Sequence, residues 1–204
     1  VACNVTYFVP PGVDAEIWRV RVKNEGDVAK QLQLFSYVEF CFYNALNDMT
    51  NFQRTYSIGQ VEAHGNAIYH KTEYRERRDH YVVFASTRDI AGFDTSRDAF
   101  LGLHNGLHEP AAVHAGRATN SIAHGWHPIG AHQLDLDLAP GESAEFSFVM
   151  GYIENSDVPK FNDDGSLNRS KAEALIERYS TIEAVDAALA DLRNRWEDIL
   201  STFQ

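Results

Sequence analysis

With 204 residues, 44% of them apolar, the chain can bury a real core, either as one large domain or as a domain with an appendage. Its formal net charge of -11 argues against a nucleic-acid partner, because phosphate backbones are met by a basic face. No apolar run nears the ~20 residues that span a bilayer, and no basic segment followed by an apolar one opens the chain, which therefore reads as soluble. Cys3 and Cys41 are too few for a disulfide framework and have no Cys or His at ligand spacing, which fits free thiols in a reducing compartment. The start at Val1, inside an apparent strand, suggests a fragment or a processed chain.

From Val1 to about Tyr152 the pattern has period two, with turn residues between short apolar runs, as expected of antiparallel sheets with one buried face. The first strand, Val1 to Val9, stops at Pro10-Pro11-Gly12. Trp18, Val20 and Val22 alternate with Arg19, Arg21 and Lys23, and Asn24-Glu25-Gly26-Asp27 predicts a hairpin into a strand over Gln31 to Phe42. That strand carries aromatics on both faces, so it should lie between two packed layers. Strands are further expected over Ala67 to Tyr74, Tyr81 to Ser86, Ala131 to Leu138 and Ser143 to Ile153, with no helices between them. Gly102 to Gly130 reads as a long Gly- and His-rich connection, the kind that is usually functional or interfacial.

After Glu154 the composition shifts. Asn162-Asp163-Asp164-Gly165-Ser166 reads as a linker, Ser170 to Tyr179 as a short helix, and Ser180 with Glu183 as a capping box. Ile182, Val185, Leu189, Leu192, Trp196, Ile199 and Phe203 then form one apolar helix face. This face would dock on something larger or build a short coiled coil. The expected architecture is a mainly β antiparallel sandwich over residues 1–160 followed by C-terminal helices over 161–204.

Residue chemistry alone shows no catalytic machinery. The nine histidines form no ligand set: His104 and His108 sit among glycines that oppose a helix, and His124 and His127 flank a loop. Glu73 with Glu76, or Asp94 with Asp98, are carboxylate pairs by type only, in a chain holding 29 Asp and Glu. No nucleophile elbow, dinucleotide fingerprint or phosphate loop is present. Two segments stand out. IYHKTEYRERRDHY, from Ile68 to Tyr81, packs charges of both signs beside aromatic rings. YNALNDMTNFQRTYSIG, from Tyr43 to Gly59, sets Asn44, Asn47, Asn51, Gln53 and Arg54 among Tyr43, Phe52 and Tyr56, groups that recognise sugar hydroxyls and rings, although a polar loop satisfying its own backbone would look the same.

The blocks FVPPGVDAEIWRVRVKN, LFSYVEFCFYNALNDMTNFQR, IYHKTEYRERRDHY, FDTSRDAFLG, HPIGAHQLDLDLAPGE and GYIEN, in this order, resemble the cellobiose phosphorylase branch of the inverting disaccharide phosphorylases, and the likeness runs through the closing LSTFQ. The resemblance implies an N-terminal mutarotase-like super-sandwich, incomplete at its start, and linker helices leading to an (α/α)6 catalytic barrel that this chain does not contain. It further implies a cytoplasmic homodimer that uses inorganic phosphate as co-substrate, with no metal and no organic cofactor. The general-acid Asp is expected in the barrel, so Asp79, Asp94 and Asp98 take no catalytic role. Arg54, with Asn51 and Asn44, is expected at the acceptor-sugar rim of the partner subunit's pocket. A free-standing sugar-binding or dimerisation sandwich is the other reading, and it would require Trp196, Ile199 and Phe203 to be covered by the chain's own sandwich.

Overall fold

The computed structural model describes residues 1–40, 59–71, 78–125 and 127–202. Its strands are β1 (Ala2–Phe8), β2 (Ala15–Lys23), β3 (Lys30–Phe35), β4 (Val38–Glu39), β5 (Gly59–His64), β6 (Ala67–His70), β7 (His80–Ser86), β8 (Gly92–Ser96), β9 (His124–Gly125), β10 (Pro128–Leu138) and β11 (Ser143–Glu154). Among the described residues the helices are α1 (Arg97–Leu101), α2 (Ala111–Ala115), α3 (Ser170–Arg178) and α4 (Ile182–Ser201).

The strands form two antiparallel sheets. The large one runs β1-β2-β11-β7-β6-β5-β9, and the small one places β10 between β3 with β4 on one side and β8 on the other. The period-two pattern explains the layering. Val20 and Val22 of β2, Phe146 and Phe148 of β11, and Phe84 of β7 turn inward against Leu134, Leu136 and Leu138 of β10. The opposite face of the large sheet is apolar as well, which a two-layer sandwich would leave wet. Ile17 and Val149 there bury against Tyr179 and Val185, and Tyr81 and Val83 against Leu167 and Ala172. The C-terminal helices are thus a third layer on the large sheet. A fourth is formed by α1 and α2, whose Phe100, Leu101 and Ala112 cover Ile129 and Ala131 on the outer face of the small sheet.

Four expectations are revised. The turn after β2 does not make a hairpin: β2 pairs with β1 and β11, while β3 pairs with β10 in the other sheet. The chain changes sheets here because the Asn24 amide donates to Leu138 O at 3.0 Å and Ala139 O at 3.2 Å, binding this turn to the one between β10 and β11, which also changes sheets. The expected strand Gln31 to Phe42 is interrupted at Ser36 and Tyr37, where the Ser36 hydroxyl takes the His132 amide at 3.0 Å and meets its ring nitrogen at 3.1 Å. Both faces of that strand are nonetheless packed, Phe35 and Tyr37 outward and Val38 and Phe40 inward. The strand series is broken by α1 and α2, so Gly102 to Gly130 is partly helical. The cap of α4 is Thr181, whose hydroxyl accepts from Ala184 N at 3.2 Å, rather than Ser180.

The linker is packed, not open. Phe161 and Leu167 bridge one another, Leu167 is buried, and Asp164 accepts from the Ser166 amide at 2.9 Å to close the turn between them. In α4, Val185, Ala188, Leu189 and Leu192 dock on the sandwich, but Trp196 is 55% exposed, Ile199 42% and Leu200 61%. The helix overhangs the sheet with its apolar face continuing; Phe203 lies outside the described residues.

Candidate functional site

Asn44, Asn51 and Arg54 lie outside the described residues, as does Cys41. The described residues that precede them end at Phe40. Glu39 Oε1 accepts from the Tyr37 hydroxyl at 2.6 Å and from Arg97 Nε at 3.0 Å. Burial first, then the adjacent Glu39 carboxylate, push the Tyr37 phenol well above its ordinary value, so it stays a donor. The hydrogen bond to Glu39 holds the Arg97 guanidinium even more firmly charged. Phe40 then inserts into the core, its ring 4.9 Å from that of His70. Gly130 makes room for it: a Cβ there would stand 3.0 Å from Phe40 Cζ and 3.0 Å from Val38 Cγ2.

Beside Phe40 a groove of about 520 Å3 opens between the start of β2 and the end of β11, lined by Val9, Val13, Asp14, Glu16, Glu39, Phe40, Met150 and Tyr152 among others. The Trp18 indole donates to Glu16 along one wall. Tyr152 meets His80, whose Nε2 is 3.9 Å from Glu154. Carboxylates, a phenol and aromatic edges can orient a polar ligand here.

Of the charged block, Lys71, Arg78 and Asp79 are described, and Thr72 to Arg77, with Glu73 and Glu76, lie outside. Its two ends are tied to the linker. The buried ammonium of Lys160 donates to Lys71 O at 2.9 Å and to Arg78 O at 3.0 Å. Glu62 accepts from Lys71 at 2.7 Å and from Arg169 at 3.1 Å, and the Tyr81 hydroxyl donates to Asn168 O at 3.0 Å. Burial raises the Tyr81 and Tyr69 phenols to about 12, so both stay protonated. Sequence reasoning overlooked Lys160 and Glu62; the only signal was an isolated lysine between Pro159 and Phe161.

Asp94 is buried and its Oδ1 accepts from the amide of Ser121 at 3.0 Å and the hydroxyls of Thr119 and Ser121 at 2.5 and 2.7 Å. A carboxylate so fully engaged is a clamp on the long connection. His132 is wholly buried beside Phe84 and Phe148, and desolvation lowers its pKa to about 3. Among the described residues no group of three His, Cys, Asp or Glu side chains gathers as a metal would require. Nor is any described helix long and apolar enough to cross a membrane.

The layering defines a class: a mainly antiparallel β-sandwich bearing its own docked helices. Residues 1–182 match the family described as "Glycosyl hydrolase 94, supersandwich domain", and the chain belongs to it. It is 32% identical over 200 residues to an N,N'-diacetylchitobiose phosphorylase of Vibrio proteolyticus, covering 98% of this chain and 23% of that protein. It is 30% identical to the N,N'-diacetylchitobiose phosphorylase of Vibrio furnissii, covering 100% of this chain and 24% of the relative. A 3-O-beta-D-glucopyranosyl-beta-D-glucuronide phosphorylase of Paenibacillus borealis is 27% identical, with 100% and 25% covered. The chain therefore spans about a quarter of the length of these relatives.

Proposed function

We propose that this chain is the N-terminal sandwich and linker of an inverting disaccharide phosphorylase, in which it builds subunit and barrel contacts and leaves the chemistry to a catalytic barrel of the same polypeptide. The observation that carries this is the match along nearly the whole chain to phosphorylases of which it spans only about a quarter. In that reaction a phosphate oxygen bonds to the anomeric carbon as the glycosidic carbon–oxygen bond breaks. A carboxylic acid protonates the leaving oxygen, and α-sugar 1-phosphate and a free sugar result. The reading makes the enzyme a glycosyltransferase acting as a cytoplasmic homodimer, with inorganic phosphate as co-substrate and neither metal nor organic cofactor.

The overhanging face of α4 supports a partner surface within the same polypeptide: Trp196, Ile199 and Leu200 continue the docked stripe past the sheet. Against a free-standing module, the sandwich covers only the first half of that stripe. Arg54, Asn51 and Asn44 form the acceptor-sugar rim in this reading, supported by their residue types and the block they belong to. N,N'-diacetylchitobiose stands beside cellobiose as the first disaccharide to assay, since both relatives at 30% identity or above carry that name.

Two measurements decide. The isolated chain, given cellobiose or N,N'-diacetylchitobiose with phosphate, is expected to release no sugar 1-phosphate, and clear turnover would sink the proposal. In the longer polypeptide, Arg54→Ala is expected to raise the acceptor KM in the synthetic direction; unchanged acceptor kinetics would remove the rim assignment.

A further inference from the structure

We propose that Asn105 and Gly106 form a self-modifying site, at which the Asn105 side chain is converted to Asp and isoAsp with His108 as the general base. The pair lies in the connection between α1 and α2, where Asn105 and His108 are both exposed. It is the chain's one Asn-Gly dipeptide. Reaction at such a pair needs a side-chain amide open to water, a following backbone nitrogen able to attack it, and no Cβ to crowd the ring that closes.

The turn is closed by the Asn105 amide donating to Gly102 O at 3.4 Å and the Glu109 amide donating to Gly106 O at 3.1 Å. Among the described residues no hydrogen bond engages the Asn105 side chain or the Gly106 amide. The His108 ring takes the place of a side chain at 106: a Cβ there would stand 2.9 Å from His108 Nδ1 and 3.2 Å from its Cε1. A Cβ and the amide nitrogen would share the Gly106 Cα, so the imidazole lies beside the nitrogen that must lose its proton. Imidazole accepts and returns protons, and a base held in place acts as if at high local concentration.

The only co-reactant is water. Gly106 N bonds to Asn105 Cγ while its proton passes to His108 Nδ1. The imidazolium gives that proton to the departing nitrogen, the Cγ–Nδ2 bond breaks, and ammonia leaves a cyclic succinimide. Water then opens the ring at either carbonyl, which leaves Asp or, with the backbone routed through the side chain, isoAsp at position 105. The product sets a carboxylate between Leu103 and Leu107, 80% and 61% exposed, and adds a negative charge to a chain already at -11. Comparable positions are guarded. The Ser121 amide after Asn120 donates to Asp94 at 3.0 Å, the Gly165 amide after Asp164 donates to Asn162 O at 2.9 Å, and Asn155 before Ser156 is buried.

The test incubates the intact folded protein in mildly alkaline buffer and follows it by peptide mapping. The tryptic peptide from Asp98 to Arg117 holds no other Asn and no Gln, so exchange of ammonia for water in its mass reports position 105 alone, and an isoaspartate methyltransferase reads the isomer. Conversion is expected to run about tenfold faster in the folded protein than in the same protein held unfolded in guanidinium chloride, where His108 has no fixed place. His108→Ala should slow the folded reaction about tenfold and leave the unfolded one within about twofold, whereas His104→Ala should leave both within about twofold. Gly106→Ala should slow conversion about tenfold or more in both states, because its Cβ crowds the closing ring. Absence of conversion at 105 in the folded protein overturns the site. A folded rate no higher than the unfolded one, or equal folded rates with and without His108, overturns the general base; the first of these comparisons uses no variant and stands even where His108→Ala fails to fold.

Discussion

Gly151 of β11 and Leu175 of α3 are in such close contact that a Cβ on residue 151 would stand 2.3 Å from Leu175 Cδ2. The close atom is the end of the Leu175 side chain, with Val83 Cγ1 next at 3.2 Å. Gly151→Ala should force the Leu175 side chain aside and lower stability by about 1 kcal/mol, the low end of the usual cost of overpacking. Urea unfolding checks the magnitude. A companion Leu175→Ala change should restore part of the loss in the Gly151→Ala background, since it empties the same volume.

His132 makes stability depend on acid. Burial holds its folded pKa at about 3, below the ordinary histidine value of 6.5, so the unfolded chain takes up the proton first as pH falls. Its contribution is complete above pH 6.5 and declines through the window down to about 3, at up to about 1.4 kcal/mol per pH unit. His132→Phe keeps a ring between Phe84 and Phe148 and removes the proton. The slope of unfolding free energy against pH between these limits should drop by about one proton in the variant; an unaltered slope would assign the acid sensitivity elsewhere, with His70, lowered to about 4 by burial, the next group to replace.

Asp94 clamps the connection that follows α2. In Asp94→Asn the oxygen can keep the bonds made to Oδ1, while the amide nitrogen that replaces Oδ2 would face the Thr119 N–H now donating there at 3.1 Å, and the lost charge-assisted bonds should cost about 2–3 kcal/mol. Hydrogen exchange should locate the damage, with the Thr119 and Ser121 amides losing protection before the β2 and β11 ladder does.

Val20 to Lys23 of β2 and Leu134 to Leu138 of β10 were readable because those stretches set one face against the core and the other toward solvent, so alternation betrays them. The change of sheet at Asn24 was not, since Asn-Glu-Gly-Asp suits a hairpin equally well and only the distant Leu138 and Ala139 carbonyls decide. Ser180 and Thr181 are adjacent hydroxyls, and choosing the cap needs the backbone angles, extended at Thr181. For the candidate site, the amide- and arginine-bearing composition around Arg54 was legible, whereas Glu39 and Arg97 meet across 58 positions of chain and no local pattern announces such a pair.

Lys160 is the extreme case of that kind, as its carbonyl partners lie 89 and 82 positions away. Lys160→Met retains the apolar stem and removes the donors, leaving the Lys71 and Arg78 carbonyls without this cation. A loss of about 1–3 kcal/mol is expected from thermal unfolding. Lys160→Arg, which still donates, should lose less; equal losses would show that volume, not hydrogen bonding, sets the requirement.

The pairing of β2 with β11 sets Ala15 against Gly151 and Lys23 against Ser143. During synthesis β1 and β2 therefore emerge long before the strand that joins them to the rest of the large sheet, and until Glu154 has left the ribosome β2 has only β1 beside it. So non-local a closure makes folding slow, and it exposes an apolar strand to other nascent chains in the meantime. Yield in a heterologous host should therefore respond to translation rate and chaperone supply, and shortened versions ending before β11 should aggregate instead of folding into a smaller domain.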